Sequence, residues 1–460
     1  MYTKTVKKST TSLNFFDSIS PLDGRYFLKL HFLKDYFSEF SLVKYRVLIE
    51  VKYLFLLSKQ KIIRDFKKEE VDFLNRLLIN FNKKEFLKIK NIEEKINHDV
   101  KAVEYYLQGK LTTTTLKDIV TFIHFGLTSE DINNLSYSLI LEKFKKEVLE
   151  TKLKQLIVLI FKHSKEWKDK VMLARTHGQL AVPTTIGKEL INYGFRLKKQ
   201  YEKLKKHKFE GKITGAVGNL NALKFVLPEK NWLKITENFI KSFSLQPNLY
   251  TTQILFYDNY LEFFQIIKLI NFILIDFSVN IWLLIMLDVF KQQKKENEVG
   301  SSTMPQKVNP IDFEQAEGSL GVANSMFNFF EQKLSHSRLQ RDLSDSIIRR
   351  IFGESLGFTI LGWKNIENGL EKIYPNEKTI KQELENNYQV LTEAIQTVLR
   401  LKNQKNAYDK VKHLTRGKKM SRSDYFKLLE DLGLNKDKKL NELTTKNYIG
   451  YAKKLIKKII

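Results

Sequence analysis

"YDNYLEFFQIIKLINFILIDFSVNIWLLIMLDVF", Tyr257 to Phe290, decides the fold class. Apolar residues Phe263, Phe264, Ile267, Ile270, Phe272, Ile275, Phe277, Ile281 and Leu284 fall on nearly every side of a helix drawn through it. A helix of that kind has to be buried on most faces. Rising about 1.5 Å per residue, it would run about 50 Å, longer than a single subunit covers comfortably. The expectation is a bundle of long helices that also buries this segment against other copies of the chain. Burial inside one subunit is the alternative. Glu262, Lys268, Asp276 and Asp288 interrupt the segment, so no run of about 18 uncharged residues exists to span a bilayer.

The same helical spacing of apolar residues recurs over 34–58, 100–108, 132–166, 186–208, 311–334, 345–371 and 377–402. With only 19 glycines and 7 prolines in 460 residues, a loop-rich or all-β chain is excluded in favour of long helices. The predicted fold is all-α, a three-part helical subunit. Its parts are an N-terminal helical domain (1–118), a central long-helix bundle domain (119–366) with a loop near 295–310, and a C-terminal helical domain (367–460). Turn chemistry falls at "SPLDGRY" (20–26), "LTTTT" (111–115), "RTHGQLAVPTT" (175–185) and "TGAVGNLN" (214–221).

The chain has no cysteine, which removes disulfides, thiolate metal sites and cysteine nucleophiles from consideration. Its N-terminus, "MYTKTVKKSTTSLNFF", lacks the apolar run of a signal peptide, and the expected location is the cytoplasm. The net charge is +26, from 78 Lys and Arg against 52 Asp and Glu. Basic balance of this size is one mark of nucleic-acid binding. Here the lysines are scattered from end to end, and Lys, Asn, Ile and Phe are all favoured. That pattern reads as drift toward AT-rich codons, with no specific nucleic-acid partner expected. A positive field still gathers anionic small molecules.

"GSSTMPQKVNP", Gly300 to Pro310, breaks the helical pattern with two prolines, a glycine and two adjacent serines. Lys307 and Asn309 within it can hold an anion. Polar groups collect at the other breaks as well: His98 and Asp99 in "INHDVKAVEYY", and His124, Thr128 and Ser129 in "FIHFGLTSEDINN". Arg175, Thr176, His177 and Gln179 lie in "ARTHGQLAVPTT". Thr251, Thr252 and Gln253 lie in "YTTQI", and Arg338, Arg341, Ser346 and Arg350 in "SRLQRDLSDSIIRR". Singly, each has a plain structural reading as a helix cap or a solvated face. The histidines show no metal-ligand spacing, and neither a dinucleotide fingerprint nor a phosphate-loop lysine is present. Together, the hydroxyl, amide and cationic groups suit carboxylates and a phosphate, and a histidine suits proton transfer near neutral pH. That inventory fits proton abstraction beside a carboxylate, followed by elimination. Spacing alone goes no further.

"GSSTMPQKVNP" resembles the loop signature of the fumarase/aspartase superfamily. "SPLDGRY", "NHDVKAVEYYL", "TFIHFGLTSEDINNLS", "RTHGQLAVPTTIGKE", "GKITGAVGNLNA", "YTTQI", "SRLQRDLSDS", "LTRGK" and "NYIG" extend the resemblance over nearly the whole chain to the bacterial branch of the adenylosuccinate lyase family. The resemblance implies β-elimination of fumarate from adenylosuccinate, giving AMP, and from SAICAR, giving AICAR, with no metal and no organic cofactor. It implies Ser301 as general base and His177 as general acid. Ser302, Lys307 and Asn309, with Thr128 and Ser129, would contact the succinyl carboxylates. Arg25, Tyr26, Arg341, Ser346 and Arg350 would bind phosphate and ribose, and Asn97, His98, Asp99 and Gln253 would line the site. Val308 and Gln315 carry over as substrate-binding positions, Glu314 as the residue that orients His177, and His124 as a supporting residue. The family assembles as a homotetramer with active sites shared between subunits, so the loop near 295–310 becomes a catalytic lid.

Departures from the family pattern stand at Gln306, Leu180, Gln315 and the Leu255–Tyr257 run. Two other readings stay open on the residues: another fumarate-releasing lyase of the superfamily, and a non-enzymatic nucleic-acid-binding or structural protein on the same scaffold.

Overall fold

The computed structural model describes residues 17–293 and 302–459. Ser38 opens the first long helix, α1 (Glu39–Lys59), by accepting from Ser41 N–H at 3.2 Å. Although most of its buried side chains are apolar, α1 also buries Arg46 and Glu50. Helix α2 (Asp99–Thr112) starts on the side chain of His98. Thr128 and Asp131 form a capping box at α3 (Ser129–Phe144), which runs through one π turn, Lys145–Leu149, into α4 (Glu150–Glu166). An antiparallel hairpin of β1 (Val171–Thr176) and β2 (Gln179–Thr185) precedes α5 (Ile186–Lys206). After α6 (Trp232–Ser242) come the long helices α7 (Asp258–Met286) and α8 (Ile311–Leu334). Next are α9 (Ser344–Arg350), α10 (Phe352–Lys372), α11 (Glu377–Glu385) and α12 (Thr392–Leu401). The chain continues through helices Ala407–Thr415, Arg422–Asp431 and Ala452–Ile459. The protein is helical, as its sequence predicts. The β1–β2 hairpin and two still smaller strand pairs are the β structure among the described residues.

Two compact units form, and neither is continuous in sequence. The first comprises residues 1–151, 203–268 and 321–361; the second comprises 152–202, 269–320 and 362–460. The three consecutive parts read from the sequence follow chain order, whereas these units follow packing. In the first unit, Phe264 stacks on Phe327 (5.3 Å between centroids) and meets Phe352 edge-on at 4.9 Å, with Phe330 5.2 Å from Phe352. Such ring clusters bury large apolar areas and add edge-to-face attraction. In the second unit Phe277 packs edge-on against Tyr193 at 5.2 Å, and Trp363 donates to buried Asn271 at 3.0 Å.

Helix α7 is shorter than the sequence reading, 29 residues, or about 43 Å at 1.5 Å per residue. By length and composition it could cross a membrane. Two of its interruptions are paired instead: Lys268 with Glu331 at 2.5 Å in the first unit, and Asp276 with Arg196 at 2.6 Å in the second. Leu269, Phe272, Leu283 and Met286 are left 38–59% exposed, on one face by their spacing.

Three segments read as single helices are broken. In 34–58, Ser38 is extended (φ −73°, ψ 157°) between a short helix, Lys34–Phe37, and α1. Between α9 and α10, Ile351 leaves the helical region (φ −97°, ψ 7°). Between α11 and α12, Asn387 turns its side chain back to Glu383 O at 2.7 Å, and Tyr388 N–H goes to Met420 O at 2.8 Å. A tertiary partner thus takes a backbone donor that a continuous helix would have used.

Candidate active site

In the first unit, two loops meet at the start of α3 through one carboxylate, and a third joins them through Lys212, whose Nζ donates to Thr252 O at 3.5 Å. Asp131 is fully buried. It accepts from the N–H groups of Thr128 (2.9 Å), Thr214 (3.1 Å) and Gly215 (3.2 Å), and Lys212 Nζ, equally buried, lies 3.0 Å away. A buried charge needs such a complete set of partners. Gln253 Nε2 donates to Ala216 O at 3.2 Å, and Thr252 Oγ1 to Gln340 O at 2.9 Å. Gly218 has φ 83°, and a Cβ there would sit 2.0 Å from Thr251 O, so only glycine lets these strands of loop approach.

A second buried network positions an arginine. Glu130 pairs with Arg349 at 2.9 Å and with Arg341 at 3.3 Å, and Arg341 Nη1 reaches Gln253 Oε1 at 3.5 Å. Arg349 also pairs with Asp345 at 3.4 Å, and Asp345 accepts the hydroxyl of Tyr257. Burial pushes the Tyr257 phenol well up, which keeps it a donor. Leu255 and Tyr257, two of the departures from the family pattern, are both core residues of this unit. Ser346 follows Asp345 on α9, half-buried.

Asp99 organises a third cluster. It accepts from Arg46 Nη2 at 2.7 Å and from Val100 N–H at 2.9 Å, with Arg350 Nη2 at 3.4 Å. Burial alone would raise its carboxyl, but the charge and hydrogen bond of Arg46 outweigh this and hold it below the usual carboxylate range. Arg46 Nε donates to Asn133 at 2.9 Å, and Arg350 reaches Glu39 at 2.5 Å. His98 Nδ1 accepts from Lys101 N–H at 3.1 Å. A neutral imidazole that accepts at Nδ1 carries its proton on Nε2, on a side chain 50% exposed. Arg25, exposed, has its guanidinium 6.0 Å from the ring of Tyr26, which caps the short helix Phe27–Leu30.

His124 is held from both sides by fully buried Glu50: Nδ1 lies 2.6 Å from Oε1, and its backbone N–H donates to Oε2 at 3.2 Å. Burial works to lower the imidazole, yet the hydrogen bond and charge of Glu50, helped by Glu104 and Asp131, leave it raised.

In the second unit His177 occupies the tip of the β1–β2 hairpin. Thr176 pairs with Gln179, so the loop is His177-Gly178, with φ 53° and 73°. Positive φ at both positions is what a two-residue hairpin of the I′ type demands. Glycine meets this without strain, but histidine does not. The imidazole is exposed at the tip. Arg175 anchors the hairpin by pairing with Glu383 of α11, and Leu180 sits opposite Arg175, next to an irregularity where the strand register shifts between Leu173 and Arg175. Asn97 (φ 52°) and His124 (φ 59°) share the left-handed backbone of His177. Residues so held cluster at functional sites.

The loop after the break places Ser302 and Lys307 in solvent and Val308 40% exposed. Lys307 N–H closes a turn on Met304 O at 3.1 Å, and Gln292 Nε2 donates to Val308 O at 3.4 Å. Asn309 then leads to Pro310, whose carbonyl accepts the N–H groups of Phe313 (3.1 Å) and Glu314 (3.3 Å) at the start of α8. Glu314 accepts from Trp282 Nε1 at 3.0 Å, and Gln315 beside it is exposed. Ser301 lies outside the described residues.

The predicted site residues therefore divide. Arg341, Gln253, Thr128 and Ser129 are brought together around Glu130 and Asp131, and His98, Asp99 and Arg350 around Arg46. His177, Ser302, Lys307, Asn309 and Glu314 belong to the second unit. Among the described residues no group of three or more acidic or histidine side chains is placed to hold a metal ion. Sequence reasoning named none of Arg46, Glu50, Glu130, Asp131, Lys212 and Arg349 as site residues, and met Tyr257 only as a departure from the family pattern. The usable signal was Arg46 and Glu50, four residues apart in an otherwise apolar run. Their partners lie 53 to 87 residues away.

A family of lyases matches residues 44–323, and the adenylosuccinate lyase C-terminal family matches residues 337–449. The chain is 43% identical over 452 residues to an adenylosuccinate lyase of Legionella pneumophila, covering 97% of this chain and 99% of that protein. It is 41% identical over 446 residues to the adenylosuccinate lyase of Escherichia coli, covering 96% and 98%. The crystal structure of a 3-carboxy-cis,cis-muconate lactonizing enzyme from Pseudomonas putida superposes with a TM-score of 0.76 at 16% identity, over 93% of this chain and 95% of that one. That likeness speaks for the fold alone. The chain belongs to the fumarase/aspartase superfamily of lyases and, within it, to the adenylosuccinate lyase family.

Proposed function

We propose that the protein cleaves adenylosuccinate to AMP and fumarate, and SAICAR to AICAR and fumarate, by β-elimination. The observation that carries this reading is 43% identity sustained over 97% of the chain to an adenylosuccinate lyase. Ser301 takes the proton from the carbon beside a succinyl carboxylate, and the electron pair spreads into that carboxylate. The carbon–nitrogen bond then breaks, and His177 delivers a proton to the departing nitrogen. Preorganised donors must meet the developing charge: Lys307, Asn309 and Ser302 from the loop, and Thr128 and Ser129 from the start of α3. Arg341 and Arg350, with Arg25, Tyr26 and Ser346, take the phosphate and ribose. Asn97, His98, Asp99 and Gln253 line the pocket, Val308 and Gln315 complete it, and His124 supports it from Glu50.

The working enzyme in this proposal is a cytoplasmic homotetramer with active sites shared between copies, free of metal and organic cofactor. Two features support it. His177, Ser302, Lys307 and Glu314 are exposed in the single chain, whereas such chemistry runs in a closed pocket from which water is excluded. Leu269, Phe272, Leu283 and Met286 of α7 present apolar surface of the kind that marks an interface. Within one chain Glu314 accepts from Trp282, and in this proposal its service to His177 is made between copies, as in a site shared between subunits.

Fumarate release from adenylosuccinate by the purified protein, with Ser301→Ala and His177→Ala alongside, tests the assignment. Release by the parent and near-abolition in both variants is expected. Near-normal turnover in either variant removes that residue from its role.

A further inference from the structure

Apart from these clusters, the first unit contains a cavity of about 450 Å³ walled by Glu142, Lys145, Lys146, Lys205, His207, Lys208 and Lys241, with residues 244–247 completing the lining. Three chain segments converge there: the end of α3 with its π turn, the residues closing α5, and the end of α6. Lys145 and Lys146 share the one carboxylate, each 2.8 Å from Glu142. Five ammonium groups against that single glutamate leave the lining with four positive charges in excess. A concave wall of one sign focuses the field and concentrates counter-ions.

The site is built as well as charged. Lys145 is 1% exposed, and it donates to His207 O at 2.5 Å. It opens the π turn Lys145–Leu149, a rare device that recurs at functional sites. The His207 ring packs edge-on against Phe209 at 4.8 Å, and its Nε2 is buried with no hydrogen-bond partner, a costly state for a polar atom. Burial and the Lys145 charge push His207 down to about 4, so the ring adds no charge of its own at neutral pH. The lining offers no aromatic group besides His207, so it reads charge and not a base. Its volume lies within the range of about 300–1,000 Å³ that small-molecule sites occupy.

We propose that this cavity binds a phosphate chain, either inorganic polyphosphate or the triphosphate of a nucleotide. Lysine serves such ligands as a point charge.

The test is calorimetric titration of the intact protein with inorganic tripolyphosphate and, separately, with ATP, in saturating AMP and fumarate so that the active site is occupied. One molecule bound per chain is expected, weakening as salt rises. Lys208→Glu/Lys241→Glu replaces two exposed residues and should keep fumarate release and Tm at parent values while affinity falls about tenfold or more. Lys208→Gln is the milder second variant, expected to lose part of that affinity. Equal binding of both ligands assigns the site to the phosphate chain alone, and tighter ATP assigns it to nucleotides. Absence of binding, or affinity unchanged in both variants, overturns the proposal and leaves Lys145 as a helix cap only.

Discussion

The cluster around Asp131 and the hairpin tip at His177 stand in opposite physical settings. Asp131 and Lys212 are fully buried, and the carboxylate is also bonded to three loop N–H groups. His177 is exposed on a strained two-residue turn. A group of the first kind holds chain segments in place, and its loss is felt as unfolding. A group of the second kind contributes nothing to the core, and its loss is felt in chemistry alone. The contrast separates residues that shape a site from residues that act in it.

The largest effect is expected at the hairpin. His177→Ala should lower fumarate release by about 100- to 10,000-fold, the usual worth of a general acid, with Tm unchanged. A variant that unfolds instead would dissolve the contrast. Asp131→Asn should leave the Lys212 charge buried and unmatched, costing about 3–5 kcal/mol, read by denaturant unfolding. An Asp131→Asn protein of parent stability would show that the cluster is not what fixes the three loops.

Glu50→Gln sharpens the comparison from the side of charge. It should bring the His124 imidazole down from its raised value, followed by NMR titration. Because the folded value lies above that of a free imidazole, the Glu50–His124 pair adds stability that is complete below the ordinary histidine range, near pH ~6.5. That stability is lost as pH rises through the folded value. The parent should therefore show this loss on the alkaline side, and Glu50→Gln should not. An unshifted His124 titration in the variant would break the assignment.

The smallest effect is expected at Tyr257→Phe, which removes one hydrogen bond to Asp345. The cost should be about 1 kcal/mol of stability. Through Asp345, Arg349 and Glu130 the change loosens Arg341, so KM for adenylosuccinate should rise several-fold with kcat unchanged. A fall in kcat alone would disconnect Tyr257 from the phosphate-binding arginine.

Much of this was legible in the sequence, for local reasons. The helical spacing of Phe263, Phe264, Ile267, Ile270 and Phe277 is an all-round apolar pattern that fixes a buried helix whatever surrounds it. The "TSED" segment caps α3 as its side-chain oxygens dictate. "HG" between two short apolar runs is a hairpin loop once both residues take positive φ, but the sequence reading stopped at a turn. Asn387 was missed as a helix breaker because its effect depends on Met420, whose carbonyl takes the Tyr388 N–H from 32 residues further along.

Sequence alone determined the helical class, the break just ahead of α8, and the types of side chain gathered at each break. These depend on periodicity, backbone restriction and composition, all of which act within a few residues. Tertiary structure decided which of the charged groups are scaffold. Glu50, Asp131, Arg46 and Arg349 look like ordinary surface charges in one dimension. Burial strips them of water, and only a partner from a distant segment compensates for that loss. It also decided that five lysines, unremarkable in a chain with 78 Lys and Arg, face one another across a single cavity.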